Sequence, residues 1–259
     1  MNRLQNLFEI KKKRILSVYF TAGYPNLTDT SIIIKELAHA GIDMIEIGMP
    51  FSDPLADGPV IQHSSTIALK NGMSIAKLFT QLEDIRHEVS IPLILMGYIN
   101  PVLQYGVENF CKKCSEIGID AVILPDLPLY EYKKHYKHLF EKYGIENVLL
   151  ISPMTSDERI KQIDEASNSF IYMVSSSSTT GQKNKFNEQQ VAYFKKIAAL
   201  QLKNPLLVGF GISNTETFNQ VCDYTCGAIV GSSFVKALES NKNLKDTVND
   251  FVLQIKGSK

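Results

Sequence analysis

Short apolar strand patterns alternate with helical patterns along the whole of the 259-residue chain. Eight strands are predicted, at residues 15–20, 43–47, 92–96, 121–124, 147–151, 170–174, 205–208 and 228–230. Regular alternation of strand and helix indicates a parallel sheet with right-handed crossovers. Eight such units in about 250 residues suit a closed barrel better than an open doubly wound sheet. The sequence therefore predicts an α/β fold, a (β/α)8 TIM barrel.

Helical patterns fill the segments between the predicted strands. Helices are predicted at 28–40, 60–70, 74–89, 105–116, 130–143, 188–202 and 243–255, and helix starts with capping-box spacing at 155–158 and 213–216. Thr28 and Ser74 are predicted N-caps, and an extra N-terminal helix is predicted over residues 2–10. No linker or shift in composition divides the chain, so a single domain over residues 1–259 is expected.

The charge balance argues against some classes of partner. Basic and acidic residues number 27 each, so the formal net charge is zero. That balance disfavours nucleic acid or a membrane surface as a main partner. The N-terminal stretch is too polar for a secretory signal peptide, and no apolar run reaches transmembrane length. A cytoplasmic protein is expected.

Cysteine and histidine give little support for a metal site. Cys111 and Cys114 have C-x2-C spacing but fall inside a helical pattern, far from Cys222 and Cys226. A four-cysteine zinc site is the alternative, but neither pair falls on a knuckle-like turn, so buried reduced thiols are favoured. The five His all fall on predicted helices, and His135 and His138 share a helix face, which is more often a solvated surface than a metal pair. No metal is predicted.

The stretch IEIGMPFSDPLADGP, residues 45–59, places one carboxylate in an apolar strand and another in the loop that follows. Glu46 interrupts the strand, and Asp57 stands eleven positions later. Burying an unpaired charge is costly, so a strand carboxylate requires a reason. One reading is an acid/base pair. The other is a structural ion pair between Glu46 and a Lys or Arg, and spacing alone leaves both open.

Glycine-rich turns follow the last two predicted strands, as GFGIS and GSS. In barrels the active site lies at the C-terminal ends of the strands, and phosphate commonly binds after strands seven and eight. Gly211, Gly231 and Ser232 are therefore candidate phosphate ligands, and Gly181 after strand six could complete the cradle. The alternative is that these glycines only form tight turns. A dinucleotide fingerprint is disfavoured because Asn214 stands where its third Gly belongs.

The residues at the predicted strand ends favour few classes of reaction. No Lys stands at a predicted strand end, which disfavours Schiff-base catalysis. What remains is cofactor-free acid/base catalysis on a phosphorylated small molecule. Tyr19, Tyr98 and Tyr172 at strand ends, with Phe51, could line a pocket for an aromatic substrate. They could equally be ordinary packing at the top of a barrel.

Several ordered motifs resemble those of the tryptophan synthase alpha subunit family. They are TAGYP, GMPFSDPLADGP, LMGYINP, PDLP, STTG, GFGIS and GSSFVK, in register over nearly the whole chain. The resemblance implies a (β/α)8 barrel that cleaves indole-3-glycerol phosphate into indole and glyceraldehyde 3-phosphate. The sequence departs from the family pattern at Met49, where Val is common, at Tyr19, often Phe, and at Ser178, usually Gly.

The resemblance also implies residue roles. Glu46 would protonate C3 of the indole and help to deprotonate the glycerol hydroxyl, and Asp57 would accept a hydrogen bond from the indole N–H. The implied substrate-binding residues are Tyr19, Tyr98, Tyr172 and Thr180, and the implied phosphate-binding residues are Gly181, Gly211, Gly231 and Ser232. No cofactor is implied in this chain. The implied partner is a beta subunit that carries pyridoxal phosphate (PLP), in an alpha2-beta2 heterotetramer.

Two other functions remain open at this stage. One is another cofactor-free phosphate-binding barrel enzyme, such as an isomerase or decarboxylase of a sugar phosphate. The other is a weakly catalytic subunit that mainly activates a PLP enzyme. The presence of both Glu46 and Asp57 favours the lyase over the activator, and the proline-stiffened loop that carries Asp57 favours it over a simple phosphate barrel.

Overall fold

The computed structural model describes residues 2–175, 185–240 and 242–257. Eight parallel strands pair in chain order and close into a barrel, β1 with β8. The strands are β1 Ile15–Thr21, β2 Met44–Gly48, β3 Leu93–Met96, β4 Ala121–Ile123, β5 Glu146–Ile151, β6 Ile171–Val174, β7 Leu206–Gly209 and β8 Gly227–Val230. The predicted (β/α)8 TIM barrel is confirmed, and each strand lies within about two residues of its predicted position.

Helices surround the barrel. They are α1 Arg3–Ile10, α2 Asp29–His39, α3 Pro59–Lys70, α4 Ile75–Leu82, α5 Ile99–Tyr105, α6 Val107–Ile117, α7 Leu129–Glu131, α8 Lys137–Lys142, α9 Asp157–Ala166, α10 Glu188–Ala199, α11 Thr215–Cys222, α12 Ser232–Ala237 and α13 Leu244–Lys256. A 3₁₀ turn, Ile85–His87, follows α4, and a π-helical turn, Tyr132–Tyr136, joins α7 to α8.

Two helix predictions need correction, and one short helix was not predicted. The helix predicted over 74–89 ends at Leu82, and only a short 3₁₀ turn follows it. The helix predicted over 105–116 is preceded by α5, and Gly106 separates the two helices because its φ of 89° is incompatible with either. The short helix α12 was not predicted, because its first residues, GSS, have the composition of a turn.

Helix caps are shifted at several starts. The boxes predicted at 155–158 and 213–216 are wrong, since the capping side chains belong to Ser156 and Asn214. Ser156 and Asn214, each one position after the predicted cap, have the extended backbone of an N-cap, and their side chains accept N–H groups of the first turn. Thr28 occupies an N-cap position, but its side chain makes no cap hydrogen bond. The predicted cap at Ser74 is confirmed.

The predicted N-terminal helix closes the N-terminal end of the barrel. Leu4 and Phe8 of α1 belong to the apolar cluster that fills the barrel interior, which includes Ile15, Met44 and Ile94. Asn2 caps this helix and also donates through Nδ2 to the carbonyl of Asp120, at 3.1 Å. The opposite, C-terminal end of the barrel is therefore the open one.

A buried ionic cluster stabilises the closed end. The Asp120 side chain is 1% exposed and lies 2.7 Å from Arg86 and 3.2 Å from Arg3. Its carboxylate also accepts the backbone N–H of Leu93 at 3.0 Å. Arg86 donates further bonds to the carbonyl of Gly118. The cluster ties the start of β3 and the turn before β4 to the helical layer.

Replacing Asp120 by Asn is expected to lower the free energy of unfolding by about 3 kcal/mol, because Arg86 keeps a half-buried charge without a counter-ion. Denaturant unfolding of both proteins measures this. Glu88→Gln is the matched control: Glu88 pairs with Lys35 at 2.6 Å but is solvent-exposed, and no measurable change is expected. Equal effects of the two substitutions would contradict the buried-cluster interpretation.

All four cysteines are free thiols, and Cys111, Cys114 and Cys222 are buried. Within residues 2–175, 185–240 and 242–257, no group of three or more His, Cys, Asp or Glu side chains could hold a metal ion. Those same ranges contain no helix that is both long and apolar enough to cross a membrane.

Candidate active site

A cavity of about 520 Å³ opens at the C-terminal end of the barrel. Its lining comes from the ends of β1, β3, β6 and β8 and from the loops after β2, β6, β7 and β8. Its lining includes Tyr19, Asp57, Met96, Tyr172, Ser175, Lys185, Phe186, Phe210, Gly211, Ile212, Ser213, Gly231, Ser232, Ser233 and Lys236. The cavity lies where a barrel of this kind carries its catalytic groups.

Glu46 of β2 is fully buried. Its Oε1 accepts a hydrogen bond from Oγ of Ser17 at 3.1 Å, and Oε2 is buried without a hydrogen-bond partner among the described residues. Desolvation raises the pKa of Glu46 to about 8. The hydrogen bond from Ser17 lowers that pKa by a smaller amount. No described Lys or Arg pairs with Glu46, so the structural ion-pair reading has no partner in the described chain.

Asp57 lines the cavity and is held from behind by Tyr98. The Tyr98 hydroxyl donates to Oδ2 of Asp57 at 2.8 Å and accepts the backbone N–H of Ala56 at 3.0 Å. Burial raises the pKa of Asp57 to about 6, and the Tyr98 hydrogen bond lowers that pKa in part. Tyr98 itself does not line the main cavity, and its ring lies 5.2 Å from that of Phe51.

The two carboxyl groups therefore differ in protonation near neutral pH. With a pKa of about 8, Glu46 holds its proton at pH 7. With a pKa of about 6, Asp57 is mostly ionised at the same pH. Two titratable groups whose environments separate their pKa values in this way form a proton donor and a fixed negative charge.

Tyr19 and Tyr172 reach the cavity because glycines leave room for their hydroxyls. A Cβ on Gly48 would lie 2.2 Å from the Tyr19 hydroxyl, and a Cβ on Gly209 would lie 2.0 Å from the Tyr172 hydroxyl. Burial, and then the carboxyls of Glu46 and Asp57, raise the pKa of Tyr172. Burial also raises the pKa of Tyr19, so both tyrosines stay neutral, and Tyr172 lies within electrostatic reach of both carboxyls.

The glycine-rich turns form one wall of the cavity. Gly211, Ile212, Gly231, Ser232 and Ser233 all line it. Their backbone N–H groups have no backbone acceptor within the described chain. Unpaired N–H groups gathered around a cavity suit an anion. Of the predicted ligands on the preceding loop, Thr180 and Gly181 lie outside the described residues, as does Ser178.

Several lining residues were not predicted. Lys236 and Lys185 bring positive charge to the same wall, and Phe186 and Phe210 add aromatic surface. Lys185 is paired with Glu216 at 2.9 Å, whereas Lys236 has no ion pair among the described residues. The motif GSSFVK contained Lys236, but only the unpredicted helix α12 brings that lysine back to the cavity.

The sequence matches known proteins over almost its full length. The sequence model of a family described as "Tryptophan synthase alpha chain" matches residues 5–258. The chain belongs to the tryptophan synthase alpha chain family. A tryptophan synthase alpha chain from Flavobacterium johnsoniae is 59% identical over 256 residues, which cover 99% of this chain and 100% of the relative. Another, from Christiangramia forsetii, is 58% identical and covers 99% of each chain.

The fold agrees with this family. A crystal structure of tryptophan synthase subunit alpha from Legionella pneumophila has a TM-score of 0.88 and 33% identity, covering 99% of this chain and 97% of that one. A tryptophan synthase alpha chain is a lyase that cleaves indole-3-glycerol phosphate. The cavity brings together aromatic side chains, a wall of backbone N–H groups and the Asp57 carboxyl, and Glu46 is buried on β2 outside its lining.

Tyr98→Phe is expected to lower kcat/KM at pH 7 about twofold, because one hydrogen bond is worth roughly one pKa unit to a carboxyl that is mostly ionised at that pH. The change removes the hydrogen bond that lowers the pKa of Asp57. The pKa of Asp57 therefore rises above about 6. Because the ionised carboxylate is the active form, the acid limb of the pH profile of kcat/KM moves to higher pH.

The matched control for Tyr98 is Tyr143→Phe. Tyr143 also donates to a carboxylate, Glu108, at 3.0 Å, but lies away from the cavity. Its pH profile should match that of the unmodified protein. If the acid limb of Tyr98→Phe lies at the same pH as that of the unmodified protein, Tyr98 does not lower the pKa of Asp57.

Proposed function

We propose that Glu46 and Asp57 together catalyse the retro-aldol cleavage of indole-3-glycerol phosphate without a cofactor in this chain. The observation that carries the proposal is the separation of their pKa values beside one cavity, about 8 for Glu46 and about 6 for Asp57. Cleavage of a carbon–carbon bond needs an electron sink, and a protonated indole ring supplies one. Neither a Schiff base nor a metal is then required.

Glu46 gives its proton to C3 of the indole, which makes the ring cationic. The bond from C3 to the glycerol carbon then breaks, and its electron pair returns to the ring. The adjacent glycerol hydroxyl becomes the aldehyde of glyceraldehyde 3-phosphate as its proton passes to the Glu46 carboxylate. The carboxyl group is thereby restored. Because Glu46 does not line the cavity here, its side chain must turn away from Ser17 to act.

Asp57 stabilises the cation that forms on protonation. Its carboxylate lines the cavity and is mostly ionised near pH 7, so it can accept a hydrogen bond from the indole N–H. A fixed negative charge in a buried site stabilises a developing positive charge more strongly than water does. Tyr98 holds this carboxylate in place, and Tyr19 and Tyr172 supply the aromatic walls that contact the indole.

The phosphate binds to the wall made by the turns after β7 and β8. The N–H groups of Gly211, Gly231 and Ser232 support this placement, since none has a backbone acceptor among the described residues. Thr180 and Gly181 are further ligands by family resemblance. Lys236 adds one positive charge, which offsets part of the charge of a phosphate dianion. The Ser232 hydroxyl is a further donor at the start of α12.

The partner is a tryptophan synthase beta subunit that carries PLP and uses the released indole, in an alpha2-beta2 assembly. Family membership supports this pairing. The open end of the barrel, which holds the cavity, is the face through which indole leaves.

The decisive experiment measures release of indole from indole-3-glycerol phosphate, with and without a beta subunit. Release that saturates with substrate in both conditions supports the lyase. Thermal protection by sugar phosphates but not by indole would instead support a different phosphate-binding barrel enzyme. Stimulation of a beta subunit without any release of indole would support an activator.

Lys236→Met is expected to raise KM for indole-3-glycerol phosphate roughly tenfold, with kcat within about twofold, because the ammonium group contacts phosphate before and during the reaction alike. Steady-state kinetics at constant ionic strength measures this. Lys245→Met is the control, an exposed lysine on α13 outside the cavity lining. A loss confined to kcat would contradict phosphate binding by Lys236.

A further inference from the structure

Phe210 has a backbone conformation that side-chain-bearing residues rarely adopt. Its φ is 69°, and Gly211 follows with a φ of 81°. Only Arg14 and Gln201 share a positive φ among the other described non-glycine residues, and neither lines the cavity. Strain that persists beside an active site must be held by surrounding contacts, and its position suggests a functional reason.

The contact that holds this turn comes from Ser175, the residue after β6. Its hydroxyl donates to the carbonyl of Phe210 at 2.7 Å, and its backbone N–H donates to the carbonyl of Gly209 at 3.1 Å. Ser175 is only 1% exposed. A side-chain and a backbone bond from one buried residue thus fix two successive carbonyls of the β7 turn.

Gly211 is enclosed by the same group of residues. A Cβ at Gly211 would lie 3.1 Å from the Phe186 ring and 3.7 Å from the Ser175 hydroxyl. Since the Phe210 carbonyl and the Gly211 N–H belong to one peptide plane, fixing that carbonyl fixes the direction of the N–H. The Gly211 N–H has no backbone acceptor among the described residues. It lies on the cavity wall formed by Gly211, Ile212, Gly231, Ser232 and Ser233, called the phosphate wall below.

We infer that Ser175 is a positioning residue for the phosphate end of the substrate, which acts by holding the peptide between Phe210 and Gly211 in its strained orientation. The inference rests on the proposed function, since it assigns the phosphate to this wall. Ser175 need not touch the substrate. A purely structural serine would affect every part of the cavity equally, whereas this role affects anion binding alone.

The test compares inorganic phosphate with indole as ligands of the full chain. For Ser175→Ala, the inhibition constant of inorganic phosphate against indole-3-glycerol phosphate is expected to rise about 5- to 10-fold, the effect of one lost hydrogen bond. The dissociation constant of indole should change less than twofold. Equal weakening of both ligands, or of neither, would overturn the inference.

A second comparison removes the backbone strain at residue 210. Glycine adopts positive φ without strain, so Phe210→Gly needs no hydroxyl to hold its turn. In that background, Ser175→Ala should change phosphate inhibition less than twofold. A full 5- to 10-fold effect there would overturn the role through Phe210.

Phosphate inhibition of the unmodified chain distinguishes a failure of the proposed phosphate site from a failure of the role of Ser175. If the unmodified chain is not inhibited competitively by inorganic phosphate, the phosphate wall is wrong and the role of Ser175 falls with it. If the unmodified chain is inhibited and Ser175→Ala is inhibited equally, the phosphate wall stands and only the positioning role is overturned.

Discussion

Glu46→Gln is expected to lower the rate of indole release from indole-3-glycerol phosphate by about 10²- to 10⁴-fold, with and without a beta subunit. Gln preserves the shape of the side chain and can still accept the hydrogen bond from Ser17. It cannot give a proton to indole C3 or take one from the glycerol hydroxyl. The loss should therefore fall on kcat and kcat/KM together, as for an interaction made only in the transition state.

The same substitution should stabilise the folded protein in a pH-dependent way. The folded-state pKa of Glu46, about 8, lies above the ordinary value of 4.5. The stability associated with its proton is fully present below about pH 4.5 and is lost as pH rises towards 8. Gln does not ionise, so the melting temperature of Glu46→Gln should exceed that of the unmodified protein by a margin that grows between pH 5 and pH 8.

A matched control for Glu46 lies at the other end of the barrel. Burial also raises the pKa of Glu146, the first residue of β5. Its carboxylate accepts a hydrogen bond from Gln5 at 2.8 Å, which Gln can also accept. Glu146→Gln should keep full activity. If Glu46→Gln retained normal turnover, Glu46 would be structural and Asp57 would become the principal catalytic candidate.

The barrel could be predicted from sequence because its signals are local. Each strand is a short apolar run, and glycines such as Gly41, Gly118 and Gly144 end the helices before three of them with positive φ. Helix predictions failed where the interaction that decides the helix is not local in sequence. The short helix α12 has no apolar period of its own, and it forms because Phe234 and Val235 pack into the core.

The candidate site could be predicted only in part, for a related reason. Glu46 and Asp57 stand out locally, one as a charge in an apolar strand and the other in a proline-stiffened loop. Their separate pKa values depend on burial and on Tyr98, which is 41 positions from Asp57. The bond from Ser175 to Phe210 spans 35 positions. No single-sequence pattern encodes such pairs.

Gly209→Ala is expected to lower kcat/KM by on the order of 10²-fold, the size of effect that a 1 Å misplacement in an active site can have. The added Cβ would lie 2.0 Å from the Tyr172 hydroxyl and 2.3 Å from Cζ of that ring. The buried ring must therefore move, and it lines the cavity within reach of Glu46 and Asp57. Overpacking of this kind should also lower the free energy of unfolding by about 1–3 kcal/mol.

A double-mutant cycle on the free energy of unfolding shows whether the loss of stability comes from the contact between residue 209 and Tyr172. In a Tyr172→Leu background the phenol ring is absent, so Gly209→Ala should destabilise the protein much less than it does beside tyrosine. Gly144→Ala is the control for backbone strain, because Gly144 has a φ of 68° and no atom within 4 Å of an added Cβ. It should lower stability but leave kcat unchanged. Additive effects of Gly209→Ala and Tyr172→Leu would show that the glycine does not make room for the tyrosine. The aromatic wall of the cavity would then depend on some other contact.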